Sequence, residues 1–342
     1  MITVGVIGFG YWGPNLVRNF ATSDRFRVAA ICDLEPKRLA AAARHYPSIR
    51  ATTDAAEIFA DSAIDAVAIA TPVRHHYPLA LAALKAGKHV LVEKPVTDGA
   101  ADARCLIDEA ARRGKVLMVD HTFIYTPAIR RLRAMVQSGD LGEIYYYDSV
   151  RVNLGLFQSD VNVLWDLAVH DLSIIEYVLG QIPVAVSATG ASHVAGAPEN
   201  IAYLTLFFDS PTIAHINVNW LAPVKVRQTL VSGSKKMVVF NELDPSEKIK
   251  VYDKGITVTD NGNGSQESIY EMLIGYRTGD MWCPKLDGHE ALAVEIDHFI
   301  HCVGTGARPV TDGTLGLRVV RQLEAASRSM RERGRPVELA RS

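Results

Sequence analysis

The residues Thr3-Val4-Gly5-Val6-Ile7 run directly into Gly8-Phe9-Gly10-Tyr11-Trp12-Gly13-Pro14-Asn15, and this junction constrains the fold more than any other stretch. The Val- and Ile-rich run reads as a buried strand. Leu16, Val17 and Phe20 then follow at helical spacing. Strand, glycine turn and helix in that order are the context of a dinucleotide fingerprint, Gly8-x-Gly10-x-x-Gly13. Gly8 allows the tight turn, Gly10 lets backbone approach a pyrophosphate, and Gly13 lets the helix lie against the strand. The helix N-terminus offers N–H groups and partial positive charge to phosphates. Pro14 falls in the first helical turn, where a missing N–H is harmless. A second apolar run, Val28 to Cys32, ends in Asp33, 20 residues after Gly13. An acid there hydrogen-bonds the adenosine ribose hydroxyls and repels a 2′-phosphate. NAD is therefore expected over NADP, with Lys37 and Arg38 near enough to soften the preference. Tyr11 and Trp12, inside the turn, either cover the cofactor, line the substrate entrance, or pack on a second domain.

The strand–helix alternation continues. A helix from Glu35 to His45, a cap at Asp54, and a strand over Ile64 to Ala70 ending in Thr71-Pro72 come next. Then follow a helix over His75–Ala86, a strand over His89–Val92 ending in Glu93-Lys94-Pro95, a helix over Gly99–Arg113, and a strand over Val116–Val119. Repeated βα units imply a doubly wound parallel sheet. Ligands bind such sheets beyond the carboxyl ends of the strands. Gly8 to Gly13, Asp33, Thr71-Pro72 and Glu93-Lys94-Pro95 all fall there, so one crevice should gather them.

The texture changes near residue 120. Helices over Pro127–Gln137 and Val163–Leu179 flank a strand over Tyr145–Val152. Six strand-like runs follow between Val184 and Tyr252, with Asp209-Ser210-Pro211 and Gly233-Ser234-Lys235 as turns. Asn261-Gly262-Asn263-Gly264 marks a loop. Helices over His289–Val303 and Asp312–Arg331 close the chain. Consecutive strands with short turns suggest an antiparallel sheet. The expected fold is α/β: an N-terminal Rossmann domain over 1–121 that binds NAD(P), and an α+β domain over 122–342 with a large, mostly antiparallel sheet for substrate binding and oligomerisation. The free face of that sheet needs cover, which suggests a homodimer or homotetramer.

Totals exclude several classes. The 342 residues suffice for two domains. A formal net charge of -2 argues against nucleic acid or an anionic membrane as partner. No apolar run approaches a membrane span, and no signal-peptide pattern precedes the first strand. The four cysteines are far apart and read as reduced thiols of a cytoplasmic protein.

Two places carry candidate chemistry. Pro95 restrains the backbone of Lys94 at a strand end. Lys94 is either a cation aimed into the crevice or half of a solvated pair with Glu93. Asp166 and His170, spaced i and i+4 in Trp165-Asp166-Leu167-Ala168-Val169-His170-Asp171, share one helix face. A carboxylate beside an imidazole orients it and favours its charged form. The pair is either a proton acceptor or a helix-surface ion pair. Asn153, Gln158, Asp160 and Asn162 fall between the strand and this helix, on a stretch suited to substrate contacts. His75, His76 and His121 sit on separate elements without metal-ligand spacing, so no metal is expected.

Together these motifs resemble the Gfo/Idh/MocA oxidoreductases. The resemblance rests on the glycine turn, on Ala70-Thr71-Pro72 with His76, on Gly87-Lys88-His89-Val90-Leu91-Val92-Glu93-Lys94-Pro95, and on Asp166-x-x-x-His170. It implies that Lys94, Asp166 and His170 form the catalytic set and that Thr71, Pro72, His76, Glu93 and Lys94 line the nicotinamide end. It also implies that Lys94, Asp166 and His170 contact a sugar substrate. One departure stands in His121-Thr122-Phe123-Ile124-Tyr125-Thr126-Pro127, where Ile124 occupies a place often held by arginine. The runs Asn162–Asp171 and Trp220–Arg227 resemble a narrower group, the nucleotide-sugar 3-dehydrogenases. Lys225 and Arg227 then either meet a diphosphate or form a solvated face. The implied reaction is NAD-dependent oxidation of a secondary alcohol on a sugar ring. A cyclitol or free-sugar dehydrogenase, or a non-catalytic dinucleotide-binding regulator, are the alternatives.

Overall fold

The computed structural model describes residues 1–155, 161–259 and 273–340. Gln158, Asp160 and the Asn261–Gly264 run lie outside them. From the N-terminus, β1 (Ile2–Ile7), α1 (Gly13–Thr22), β2 (Phe26–Cys32), α2 (Pro36–His45), β3 (Arg50–Thr52), α3 (Ala55–Ala60), β4 (Ala66–Ile69), α4 (His76–Lys85), β5 (His89–Glu93), α5 (Ala100–Arg113) and β6 (Leu117–Asp120) alternate as the sequence implies. The six strands form one parallel sheet in the order β3-β2-β1-β4-β5-β6. Its central strands bury residue after residue, as a sheet covered on both faces requires. The chain leaves β1 toward β3 and returns to β4 on the other side. The switch point, where such sheets bind ligands, therefore lies between β1 and β4. Local chemistry explains the boundaries. Asp54 caps α3 by accepting the Ala56 N–H at 2.8 Å, and Gly114 ends α5 with φ 61°. The short strand β3 has no periodicity to betray it, and the sequence reading passes over it.

The second half contributes α6 (Pro127–Gln137), β7 (Ile144–Leu154), a π-helical turn (Leu164–Ala168) leading into α7 (Val169–Leu179), and the strands β8 (Ala185–Ala191), β9 (Ile201–Phe207), β10 (Ile213–Asn219), β11 (Leu221–Gly233), β12 (Met237–Asn241), β13 (Ile249–Tyr252), β14 (Gly255–Thr259), β15 (Leu273–Arg277) and β16 (Met281–Trp282). With β17 (Val337–Glu338) they build a nine-stranded sheet, β16-β13-β12-β11-β7-β10-β9-β8-β17, and a separate β14-β15 ribbon. The large sheet is antiparallel except where β10 lies parallel to β7. β11 begins earlier than its apolar run suggests. Its pairing with β7 slips between Leu221 and Val226, and Ala222, Pro223, Val224 and Lys225 bulge out there. Pro223 is tolerated because a bulge asks nothing of its missing N–H.

α8 (Ala291–Thr305) and α9 (Gly313–Arg331) close the chain. Two compact units result: Met1–Thr126 with His289–Glu324, and Pro127–Gly288 with Ala325–Ser342. This division differs from a single cut after residue 121, because α8 and most of α9 group with the parallel sheet. Gly313 and Gly316 permit it. A Cβ on either would come within 3.0 Å of Leu117 and Ile107, or of Val119. α9 thus lies directly on the β6 edge, where Val119 N–H donates to the Thr311 carbonyl at 2.8 Å.

Lys88, only 5% exposed, donates its ammonium to the carbonyls of Asp61 (2.6 Å) and Ile64 (2.7 Å). It ties the start of β5 to the loop before β4. Lys88→Met should strand both carbonyls and cost about 1–3 kcal/mol, read as a lower urea midpoint with an unchanged slope. An unchanged midpoint would remove this tie from the account of the fold.

Candidate active site

The glycine turn is shaped by close backbone approach. Gly8 has φ 96°, and a Cβ there would lie 2.4 Å from the Ala70 carbonyl oxygen at the end of β4. A Cβ on Gly13 would lie 2.1 Å from the Gly8 carbonyl. Gly10 is different: a Cβ there meets only the Arg38 guanidinium, at 3.6 Å. The first and third glycines hold the turn closed, and the middle one leaves it open for a ligand. Asp33 is buried at the end of β2. Its Oδ2 accepts the Phe9 N–H at 2.7 Å and its Oδ1 accepts the Glu35 N–H at 2.8 Å. Arg38 stands 3.5 Å from Oδ2. Asp33, the acid expected at the ribose, therefore also braces the glycine turn. Tyr11 is 90% exposed, whereas the Trp12 indole donates to Asp120 Oδ2 at 2.6 Å.

The ends of β4, β5 and β6 carry the next group. Thr71 and Pro72 follow β4, and Glu93 and Lys94 close β5 next to Asp120 of β6. Lys94 is partly exposed and precedes a cis Pro95. His76 is buried, with Nδ1 2.8 Å from the Pro95 carbonyl and Nε2 2.7 Å from the Thr71 carbonyl. It clamps the two loops together, so both ring nitrogens face protein backbone. Burial lowers its pKa, aided by Lys94, against the pull of the two carbonyls and Asp98. His121, also buried, is pushed down to about 3 by burial and by Lys94. Its ring is therefore neutral near neutral pH, close to the Lys94 side chain.

In the second unit, Asn162 Oδ1 accepts the N–H groups of Leu164 (3.2 Å) and Trp165 (3.4 Å) while its amide donates to Glu199 at 3.0 Å. It caps the turn that holds Asp166. That turn is π-helical rather than the regular α-helix expected over Val163–Leu179, a feature common where function displaces regular hydrogen bonding. Trp220, fully buried, donates its indole N–H to Asp166 Oδ2 at 3.0 Å. His170 opens α7, and its Nδ1 is buried while the ring as a whole is partly exposed. The next residue, Asp171, is fully buried. It accepts from Arg151 Nε (2.8 Å) and from Ser149 Oγ (2.6 Å) of β7. Burial opposes the Arg151 charge, but Asp171 and Glu242 outweigh it and raise its pKa. Asn153 lies near the end of β7, partly exposed.

Residues 2–121 match the oxidoreductase family with an NAD-binding Rossmann fold, and residues 129–239 match the GFO/IDH/MocA C-terminal domain. The chain belongs to the Gfo/Idh/MocA oxidoreductase family. It is 27% identical to the D-apiose dehydrogenase of Paraburkholderia graminis over 98% of this chain and 88% of the relative. It is 28% identical to the UDP-N-acetylglucosamine 3-dehydrogenase of Acidithiobacillus ferrooxidans over 92% and 93%. The solved structure of the latter, GnnA, superposes with a TM-score of 0.81 at 25% identity, covering 97% of this chain and 98% of that one.

For a Gfo/Idh/MocA protein the turn fits its dinucleotide, since Gly8 and Gly13 have no room for a side chain and Gly10 faces open space save for Arg38. Of the residues expected at the site, Gly8, Gly10, Tyr11, Trp12, Gly13, Asp33, Thr71, Pro72, His76, Glu93 and Lys94 belong to the first unit, and Asn153, Asn162, Asp166 and His170 to the second. Reading the sequence misses Asp120, Glu295, Arg151 and Asp171, because an acid or arginine inside a strand or helix announces nothing until its buried partner is known.

Two outcomes follow. Asp33→Ser should remove the charge that repels a 2′-phosphate and leave Arg38, so the ratio of NADP to NAD affinity rises about tenfold or more; titration with both cofactors checks it. His89, pushed to about 4 by burial and Lys115, and His121 are neutral when folded but titrate near 6.5 when unfolded. The unfolded state then binds more protons below pH 6.5, so stability falls as pH falls from 6.5 toward 4. His121→Gln should flatten that slope in urea unfolding across the window; an identical slope would contradict a neutral buried ring.

Proposed function

We propose that this Gfo/Idh/MocA protein oxidises the C3 hydroxyl of a nucleotide sugar of the UDP-N-acetylglucosamine class. The observation that carries the reading is the hydrogen bond from Trp220 to Asp166. It joins the two runs whose sequence resembles nucleotide-sugar 3-dehydrogenases, and it fixes the carboxylate four residues before His170. The whole-length likeness to the Acidithiobacillus enzyme supports the same substrate class.

Bound NAD supplies the hydride acceptor. His170 takes the hydroxyl proton, with Nε2 as the acceptor because Nδ1 is buried. Asp166 orients the ring and stabilises its charged form. Lys94 donates a hydrogen bond to the reacting oxygen and favours its alkoxide character. Of the two basic residues on β11, Arg227 pairs with Glu242, whereas Lys225 is exposed on the bulge. Lys225 is therefore the one assigned to the diphosphate. The likeness to D-apiose dehydrogenase supports a second reading, a free-sugar dehydrogenase.

The exposed side chains Tyr203, Phe207 and Ile213 share one face of the nine-stranded sheet. They support a homodimer or homotetramer formed through that face. Among the described residues no helix is long and apolar enough to cross a membrane. The four cysteines are unbridged, which supports the cytoplasmic assignment.

A panel of UDP-sugars, dTDP-sugars, inositols and free sugars, followed by NADH absorbance, tests the assignment. UDP-N-acetylglucosamine should turn over, and His170→Ala should lower kcat about 10²–10⁴-fold with NAD affinity kept. Turnover of free sugars alone would select the second reading. NAD binding with no turnover anywhere would point to a regulator.

A further inference from the structure

Glu295 on α8 is completely buried, and neither of its carboxyl oxygens meets a hydrogen-bond donor. The groups around its carboxyl are the Asp120 carboxyl and the Thr122 hydroxyl, with Glu93 adding negative charge nearby. Thr122 already gives its hydroxyl proton to Asp120 Oδ1. Asp120, 2% exposed, also receives the Trp12 indole N–H on Oδ2. A buried carboxylate with no donor costs several kcal/mol. The same group as a neutral acid has an O–H to give, and the Asp120 carboxylate is there to accept it. Two carboxyls sharing one proton is the usual resolution of such a contact.

We propose that Glu295 is a protonated positioning residue. Its O–H donates to Asp120, and Asp120, held by three donors, fixes the Trp12 indole inside the glycine turn. Trp12 immediately precedes α1, whose N-terminal N–H groups are the ones expected to meet the cofactor phosphates. The proton on Glu295 thereby sets the rotamer of the Trp12 indole, which sits between the exposed Tyr11 and Gly13. The inference rests on the NAD-binding role of that turn. It assigns no contact between Glu295 and substrate.

Three variants separate positioning from plain packing. Glu295→Gln keeps a donor toward Asp120 but cannot ionise. Glu295→Leu keeps the volume and loses the donor. Trp12→Phe removes the indole N–H. Infrared difference spectra at neutral pH, without cofactor, should show the carbonyl band of a neutral carboxylic acid in the wild type and its loss in Glu295→Gln. Absence of that band in the wild type overturns the protonation, whatever the protein binds. NAD affinity by calorimetry should be near wild type for Glu295→Gln and about tenfold weaker for Glu295→Leu, the worth of one charge-assisted hydrogen bond. In the Trp12→Phe background Glu295→Leu should weaken NAD no further, although both Leu variants lose comparable melting temperature. Equal weakening in both backgrounds, or none in either, would make Glu295 a packing residue only. A wild type that binds no NAD would instead remove the cofactor reading and leave the infrared result standing.

Discussion

The contact on which the parallel-sheet unit depends is between backbone and backbone. The Ala70 carbonyl stands where a side chain on Gly8 would be, and the Gly8 carbonyl stands where one on Gly13 would be. The ends of β1 and β4 and the start of α1 are thus in van der Waals contact with nothing between them. The switch point of the sheet, the free N–H groups of α1 and the open face of Gly10 all follow from that approach. Asp33 secures the same place from the β2 side by accepting the Phe9 N–H. An acid expected to read a ribose is also part of the frame that shapes the turn.

The second unit holds its candidate chemistry from two sides. Trp220 grips Asp166 from β10–β11, and the Arg151 guanidinium of β7 grips Asp171. His170 lies between these anchors in sequence, one residue before Asp171. The Arg151 tie is buried and the Trp220 tie partly buried, so each is worth more to geometry than a surface pair would be. A buried pair of this kind is weak grounds for added stability but good grounds for a fixed arrangement of the elements it joins.

Charge at the strand ends is arranged by burial. His121 is neutral because its ring is enclosed beside Lys94. Glu295 is held far above the ordinary carboxylate range by burial, then by Asp120. Beside them at the ends of β5 and β6 stand Lys94, the buried Asp120 and the partly exposed Glu93. Neighbouring titratable groups made neutral leave the field of the charged ones less opposed, a common way of preparing a site for proton and hydride chemistry.

Periodicity and turn chemistry were enough to place the βα units, the glycine turn, the cap at Asp54, the six strands between Val184 and Tyr252, and the closing helices. Those features are local: each depends on which residues sit two, three or four apart. The short β3 and the bulge at Ala222–Lys225 were not legible, since a three-residue strand and a register slip leave no periodic trace. The π-helical turn was hidden for the same reason, its residues reading as ordinary helix. Nor could spacing show that Asn162 would cap that turn, or that His76 would face backbone with both nitrogens. The amino-acid order by itself determined a dinucleotide turn followed by a parallel sheet, and a large antiparallel sheet after it. Only the tertiary structure decided that α8 returns to the first unit and brings Glu295 against Asp120. It alone decided that Trp220 meets Asp166. Pairs more than fifty residues apart are set by packing and burial, which no local pattern encodes.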